Sequence, residues 1–461
     1  MLMSTLSKLM WVGRVPLLWV VAIALLVALA MVGLLASRAY AVPTTFTVNS
    51  TADPGTGGCN ATECTLREAI NAANANNNPT EKDLINFNIS ATGVHTISPT
   101  SPLPQITEPV IINGYSQPGS SANTLAKGTN ALLTIELEGT KAGSGIDANG
   151  LSVAAKGTVV KGLVINSFAV SGIRLLGGAD ANGTKIQGNF IGTNPAGTAA
   201  QGNNSDGIAL TGNSNVVVGG TLPSMRNLIS GSRLAGVVLF NFETGINNKV
   251  LGNLIGTDKN GSGNLGNGNS GVAIFSRAPN NIATTVKNNT IAFNGNTTES
   301  PVRGTDGVAL FGDVGSTDTI RSNSIFANKG LGIDLNFGPE DGSTNVSNAN
   351  DSCDTDEGTN DLQNKPNLTS ALTSSGTTTI KGSLNSNPNQ TFTLEFFRNA
   401  SGANEGKIFL GQKSVSTGSN CTTGTFTFIP SQAVSAGPTI TATATDSEGN
   451  TSEFSAPRTV E

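Results

Sequence analysis

The chain carries a run of short signatures: GIRL (172–175), NFI (189–191), GIAL (207–210), NLI (227–229), GVVL (236–239), NLI (253–255), GVAI (271–274), NTI (289–291), GVAL (307–310), NSI (323–325) and GIDL (332–335). A Gly-[Ile/Val]-x-[Leu/Ile] tetrad alternates with an Asn-x-Ile element. From each tetrad glycine to the next asparagine the chain runs 16 to 20 residues, whereas from each asparagine to the next tetrad glycine it runs either 9 or 18. That is a period with an optional insert. Each signature reads as a short strand whose alternate residues, such as Ile208 and Leu210, point to one side and need apolar neighbours. One coil cannot bury that side, so coils have to stack. Glycine and asparagine, which tolerate left-handed backbone, fall at the corners. The economical architecture is a parallel β-solenoid with coils about 4.8 Å apart.

Upstream, TTFTVNSTADPGTGGCNATECTLREAINAANANN follows residue 43. Phe46 and Val48 mark a first strand. Thr65-Leu66-Arg67-Glu68 fits a capping box, and Leu66, Ala69, Ile70 and Ala73 line one face of a short amphipathic helix. A solenoid end exposes strand edges and an apolar core, so a helix laid across it is expected as a cover. Cys59 and Cys64 lie close enough for a local disulfide.

The coil repeat resembles the right-handed parallel β-helix repeat of pectate-lyase-like proteins, and the resemblance implies that handedness. Cys64 to Ile70 (CTLREAI), with the strand before it and Cys59, resembles the CSLREA-type domain of secreted and surface bacterial proteins, Thr65 replacing the usual serine. The segments LPQITEPVIINGYSQPG and GNFIGTNPAGTAAQGN resemble the continuation of such proteins. The resemblance implies architecture and an extracellular bacterial setting rather than an activity.

Composition narrows the function. Only 12% of residues are charged, 56 of 461 are glycine, and the apolar 37% recurs in register, which favours a packed solenoid over disorder. No basic run exists, so nucleic acid is not an expected partner. Lys8 and Arg14 precede an apolar run, Leu17 to Ala36, and the small-residue pattern Ala39-Tyr40-Ala41, which reads as a secretory signal cut after Ala41. The run is also long enough for an uncleaved membrane anchor. Cleavage removes Lys8, Arg14 and Arg38 and takes the formal charge from −5 to −8. It also removes Trp11 and Trp19, leaving Tyr115 and His95 as the lone tyrosine and histidine.

Strand-like runs between Asp83 and Ser167 read as the first coils. After GIDLNFG a polar acidic link follows, in which Asp351, Asp354, Asp356 and Asp361 resemble alternating oxygen ligands for Ca²⁺. A solvated acidic linker is the plain alternative. From Asn367 alternating strands without the tetrad suggest a small antiparallel β-sandwich of immunoglobulin-like type. The expected division is a signal at 1–41, cap and β-helix at 42–338, linker at 339–366 and sandwich at 367–461. Cys353 and Cys421 are placed to staple the solenoid's end to the sandwich.

Three long connections, 192–206, 256–270 and 292–306, leave after the same strand and return before the same tetrad, so they emerge on one face. They offer Asn194, Asp206, Asp258, Lys259, Arg303 and Asp306, a surface suited to hydroxyl-rich ligands or cations. Asp206 and Asp306 directly precede glycine, where a carboxylate commonly bonds turn backbone instead. Their separation by several coils exceeds the about 5 to 9.5 Å that glycosidase carboxylates need. The recurring asparagines read as an amide ladder, and Asp334 is expected to face solvent. A single histidine offers no metal triad. The expectation is a non-catalytic secreted or cell-surface protein binding extracellular polysaccharide or a cell-surface component through the insert face. The alternative is a lyase or hydrolase of acidic glycans using Arg303 and Asp306.

Overall fold

The computed structural model describes residues 42–53, 57–77, 81–241, 245–276, 283–296, 304–312, 316–337, 347–421 and 423–461. The signal segment, part of the acidic link and Arg303 lie outside these residues. Each complete coil supplies one strand to each of three parallel sheets. The first has nine strands, from Thr45–Val48 to Thr319–Arg321; the second eight, from His95–Ile97 to Ser324–Phe326; the third seven, from Leu151–Val153 to Ile333–Phe337. The Asn-x-Ile elements build the second sheet and the tetrads the third. Equivalent residues stack in register: Ile173, Ile208 and Val237 in the third sheet, and Ile229, Ile255, Ile291 and Ile325 in the second. Their side chains fill one continuous core. A parallel β-helix is therefore the body of the protein.

The corner between the first and second sheets is closed by asparagine. The Nδ2 of Asn189, Asn227, Asn253 and Asn289 donates to the Oδ1 of the ladder residue one coil on at 2.9–3.1 Å, ending at Asn323. Each backbone N–H donates to the same oxygen, and each Nδ2 also reaches a carbonyl such as that of Val218 or Val250. The side chain thus satisfies backbone groups that the turn leaves without sheet partners. Left-handed backbone falls one residue earlier, at Gly188, Gly252, Asn288 and Ser322. The tetrad glycines meet a different constraint: a Cβ on Gly207 would lie 2.6 Å from the Gly236 carbonyl oxygen, and on Gly307 2.5 Å from that of Gly332. They are small because the coils touch there.

Helix α1 (Leu66–Ala75) covers the first coil. Thr65 Oγ1 accepts the Glu68 N–H, and Glu68 Oε2 accepts the Thr65 N–H at 2.9 Å. Leu66, Ala69, Ile70 and Ala73 are buried in the core. Arg67 holds Asp53 through two bonds of 2.8 and 3.0 Å and also donates to the carbonyls of Ser101 and Pro102. The Cys59–Cys64 disulfide is formed.

At the other end stands an antiparallel sandwich. Its three-stranded sheet contains Asn367–Ser374, Thr377–Leu384 and Gly424–Phe428, and its four-stranded sheet Ile408–Ser416, Thr391–Asn399, Thr439–Thr445 and Arg458–Thr459. This is no detached module on a solvated link. Phe397 and Phe454 enter the β-helix core. A second ladder, Asn267 to Asn294 to Asn328, ends on Glu405 of the sandwich, whose Oε1 accepts both the Nδ2 and the N–H of Asn328 at 2.9 and 3.2 Å. Glu395 accepts the Ser322 N–H at 2.7 Å, Ile325 and Gly406 exchange backbone bonds of 2.9 Å, and Glu453 accepts the Asn348 N–H. Asn360, from the link, accepts the Asp318 N–H. The Cys353–Cys421 disulfide ties link to sandwich. By the loop-entropy account, closing so long a loop contributes about 4 kcal/mol.

Burial at this end raises several carboxyls. Asp318, fully enclosed, is pushed up to about 7, although the Thr284 N–H bonds it. Asp306 rises to about 6 and Asp334 to about 8, burial being the largest cause in each. A carboxyl raised on folding favours the folded state below its unfolded pKa and loses that contribution as pH climbs through the folded value. The unfolding midpoint should therefore fall as pH rises from about 4 to 8. Asp318→Asn should flatten this profile and add about 1–2 kcal/mol at pH 8, read by denaturant titration; an unchanged profile would contradict the assignment.

Candidate functional site

The outward face of the second sheet is covered unevenly. Over the earlier coils, Val164, Phe190, Leu228 and Leu254 form a buried apolar row against Leu133, with Tyr115 and Ala131 packed on it. The cover is an excursion near residues 117–134, pinned by Arg226, whose guanidinium donates to the carbonyls of Leu125, Ala126 and Gly128 at 3.0, 2.9 and 2.5 Å. The Thr129 N–H donates to the Lys259 carbonyl at 2.7 Å, which joins the excursion to the second insert. Beyond Leu254 the outward residues become Thr290 and Ser324, and the cover stops.

The result is a groove of ≈ 680 Å³. One wall is Ala126–Gly128 with Asn260–Ser262 of the second insert; the far wall is Lys407–Phe409 of the sandwich. The floor carries Thr290, Phe293, Ser324 and Phe326. The rings of Phe293 and Phe326 meet edge to face with centroids 5.5 Å apart, and Lys407 Nζ stands 4.3 Å from the Phe326 centroid. Phe293 holds left-handed backbone at φ 63°. The second sheet's stacking places Gly231 at the equivalent step of an earlier coil, where the same conformation is free of strain. A bulky residue there costs about 1 kcal/mol or more, so the chain accepts strain to put a phenyl ring on the floor. The lining contains no aspartate, glutamate or histidine among the described residues.

The expected insert residues do not converge into one site. Asn194 and Asp258 occupy matching places in two inserts and close their own turns: Asn194 Oδ1 accepts the Thr198 and Ala199 N–H groups, and Asp258 Oδ1 those of Gly263, Ser262 and Asn260. Burial opposes the Asp258 charge, but those bonds outweigh it and hold its carboxyl below the ordinary range. Lys259 uses its backbone, its N–H donating to the Gly197 carbonyl of the insert two coils earlier. Asp206 and Asp306 are buried, Asp306 to 1% exposure. Asp206 Oδ1 accepts the Ala235 N–H at 3.0 Å and Asp306 Oδ1 the Leu331 N–H at 2.7 Å, each fastening the following coil. In register they stand three coils apart, about 14 Å. Asp334 points outward as alternation requires, yet it is 5% exposed rather than solvated. Burial, then the charges of Asp306 and Glu453, raise its carboxyl. His95 is buried with Nε2 3.1 Å from Gln117 Nε2.

The acidic link divides. Oxygens of Asp351, Asp354 and Asp356 lie within 4.8 Å of one another. Asp354 is buried and accepts from Gln363 Nε2, Ser386 Oγ and the Asn364 N–H, while Asp356 Oδ1 is buried without a hydrogen-bond partner. Three carboxylates so placed suit a hard cation such as Ca²⁺. Asp361 stands elsewhere, bonded by Asn450 Nδ2 and raised by burial and by Asp446 and Glu448.

Sequence reasoning missed Phe293, Phe326, Lys127, Lys407 and Phe409. An aromatic following each of the last two Asn-x-Ile elements (NTIAF, NSIF) was the available signal for the floor. Nothing in the pattern signals the sandwich residues.

No protein-family model matches the chain, and no curated protein does. Among solved structures it is similar to the full-length tailspike protein 2 of Escherichia coli O157:H7 bacteriophage CAB120, at 10% identity and a TM-score of 0.27, over 88% of this chain and 67% of that one. It is also similar to the tailspike protein gp49 of Acinetobacter baumannii bacteriophage Fri1, a capsular polysaccharide depolymerase, at 11% identity and a TM-score of 0.19, over 82% of this chain and 77% of that one. At such TM-scores neither likeness bears on ligand or chemistry.

Proposed function

We propose that this chain is a secreted or cell-surface β-helix protein, entered through a CSLREA-type cap, that holds an extracellular polysaccharide without cleaving it. The carrying observation is the groove beside the second insert, floored by Phe293 and Phe326 and lined by Asn260, Ser262, Asn288, Ser322 and Ser324. Phenyl faces accept the apolar faces of sugar rings, and short amides and hydroxyls exchange hydrogen bonds with sugar hydroxyls. Glycoside hydrolysis ordinarily uses a pair of carboxylates about the scissile bond, and the described residues of the lining supply none. The other reading, cleavage of acidic glycans, draws on Asp306, whose carboxyl at about 6 would suit an acid; its enclosure keeps a polymer away. Phe293→Ala with Phe326→Ala should weaken binding to a polysaccharide panel at least about tenfold while the circular-dichroism spectrum is kept, each lost stacking contact being worth about 1 kcal/mol. The wild-type protein should release no new chain ends. Undiminished binding by the double variant would sink the groove assignment, and released ends would favour the enzyme.

We also propose that Asp351, Asp354 and Asp356 take up Ca²⁺ and stiffen the link beside the Cys353–Cys421 disulfide. Support comes from the convergent oxygens and from the partnerless Asp356 Oδ1. Millimolar Ca²⁺ should raise the unfolding temperature. Asp354, pushed up to about 7 by burial first, must lose its proton to bind, so the shift should grow from pH 6 to pH 8 and vanish in Asp356→Asn. No shift at pH 8 would rule the cation out.

A further inference from the structure

We infer that the groove selects acidic over neutral polysaccharide, and that Lys127 and Lys407, which stand outside the coils, set this preference. The inference rests on the polysaccharide reading above and adds the charge of the ligand.

The chain as a whole carries a formal charge of −5, with 31 acidic against 26 basic residues. The groove reverses that balance. Among the described residues its lining holds Lys127, Arg226 and Lys407 and no carboxylate. Acids on the segments next to the walls are engaged: Asp258 closes its own turn, Glu395 is paired with Arg321 at 3.2 Å, and Glu405 accepts from Asn328. Arg226 spends its donors on the carbonyls of Leu125, Ala126, Gly128 and Gly252, so its charge is met by dipoles rather than by an opposite charge. Half-buried positive charge without a counter-ion leaves the groove electropositive, and low-dielectric walls concentrate that field.

Position adds to sign. Lys127 is exposed on the excursion wall, and exposed Lys407 belongs to the sandwich wall, so the two bracket the floor along the helix axis. Lys407 Nζ lies over one face of the Phe326 ring at 4.3 Å, which fixes the ammonium beside the neighbouring Phe293 ring, on which a sugar would stack. A sugar ring lying on a phenyl floor carries an in-plane carboxylate or sulfate ester toward the rim, where the ammonium groups stand. Uronates and sulfated sugars share this chemistry.

The test is binding of the purified full chain to dextran, dextran sulfate and polygalacturonate, at low and at 0.5 M salt. At least one acidic polymer should bind about tenfold or more tightly than dextran, with the excess lost in salt. Lys127→Gln with Lys407→Gln should bring acidic binding down to the level at which the same variant binds dextran. Tight binding of polygalacturonate alone assigns a uronate, and of dextran sulfate alone a sulfate ester. Equal binding of all three, or an acidic preference that survives the double lysine variant, overturns the inference. If Phe293→Ala abolishes binding while the lysine variant changes nothing, charge selection fails and the groove stands. If Phe293→Ala leaves every polymer bound as before, the groove itself is wrong and the inference falls with it.

Discussion

A stack of parallel coils leaves unpaired backbone at every corner and at both ends, and the whole molecule is arranged around that deficit. An asparagine side chain is suited to the corner because its amide offers a donor and an acceptor along the stacking direction. Each of Asn227, Asn253 and Asn289 receives from one neighbouring coil and gives to the next. Leaving one such buried group without a partner costs about 1–3 kcal/mol, so the ladder is a condition of folding. A ladder must also end on an acceptor. Glu405 gives that ending to the second ladder, and Glu395, Asn360 and Glu453 serve nearby N–H groups of the last coil and of the link. Phe397 and Phe454 fill the apolar opening between them.

The groove follows from how the ends and the outer faces are closed. The excursion pinned by Arg226 buries the outward apolar row up to Leu254, and the sandwich seals the last coil through Ile325 and Gly406. Between the two covers a short stretch of the second sheet stays open, and there the outward residues turn from leucine to threonine and serine. The same contacts that complete the fold thus supply both walls. Lys407 and Phe409 reach the groove because Gly406 and Glu405, next to them in sequence, dock on the last coil.

Much of the architecture was legible. Alternation in the tetrads gave the inward row, Thr65 and Glu68 gave the helix start, and the recurring asparagines gave the ladder. What the period could not convey is distance between segments remote in sequence. Asp206 and Asp306 looked like surface acids before a glycine, and only stacking brings the Ala235 and Leu331 N–H groups to them. Asp334 looked solvated because alternation reports which side of a sheet a residue faces and not what lies against that side. The spacing of the acidic link joined Asp361 to three aspartates from which the turn at Thr359–Leu362 separates it. The sandwich read as an appendage because its link is polar, yet that polarity supplies acceptors for the last coil. The tetrad glycines suggested left-handed backbone, whereas close coil contact is what excludes a side chain there.

The most direct test of the groove is amide hydrogen exchange of the full chain with and without an acidic polysaccharide that it binds. The account predicts added protection confined to peptides covering 126–128, 260–262, 288–293, 322–327 and 407–409, the helix and the sandwich responding together. Protection confined to another face, such as the outer surface of the sandwich alone, would contradict it.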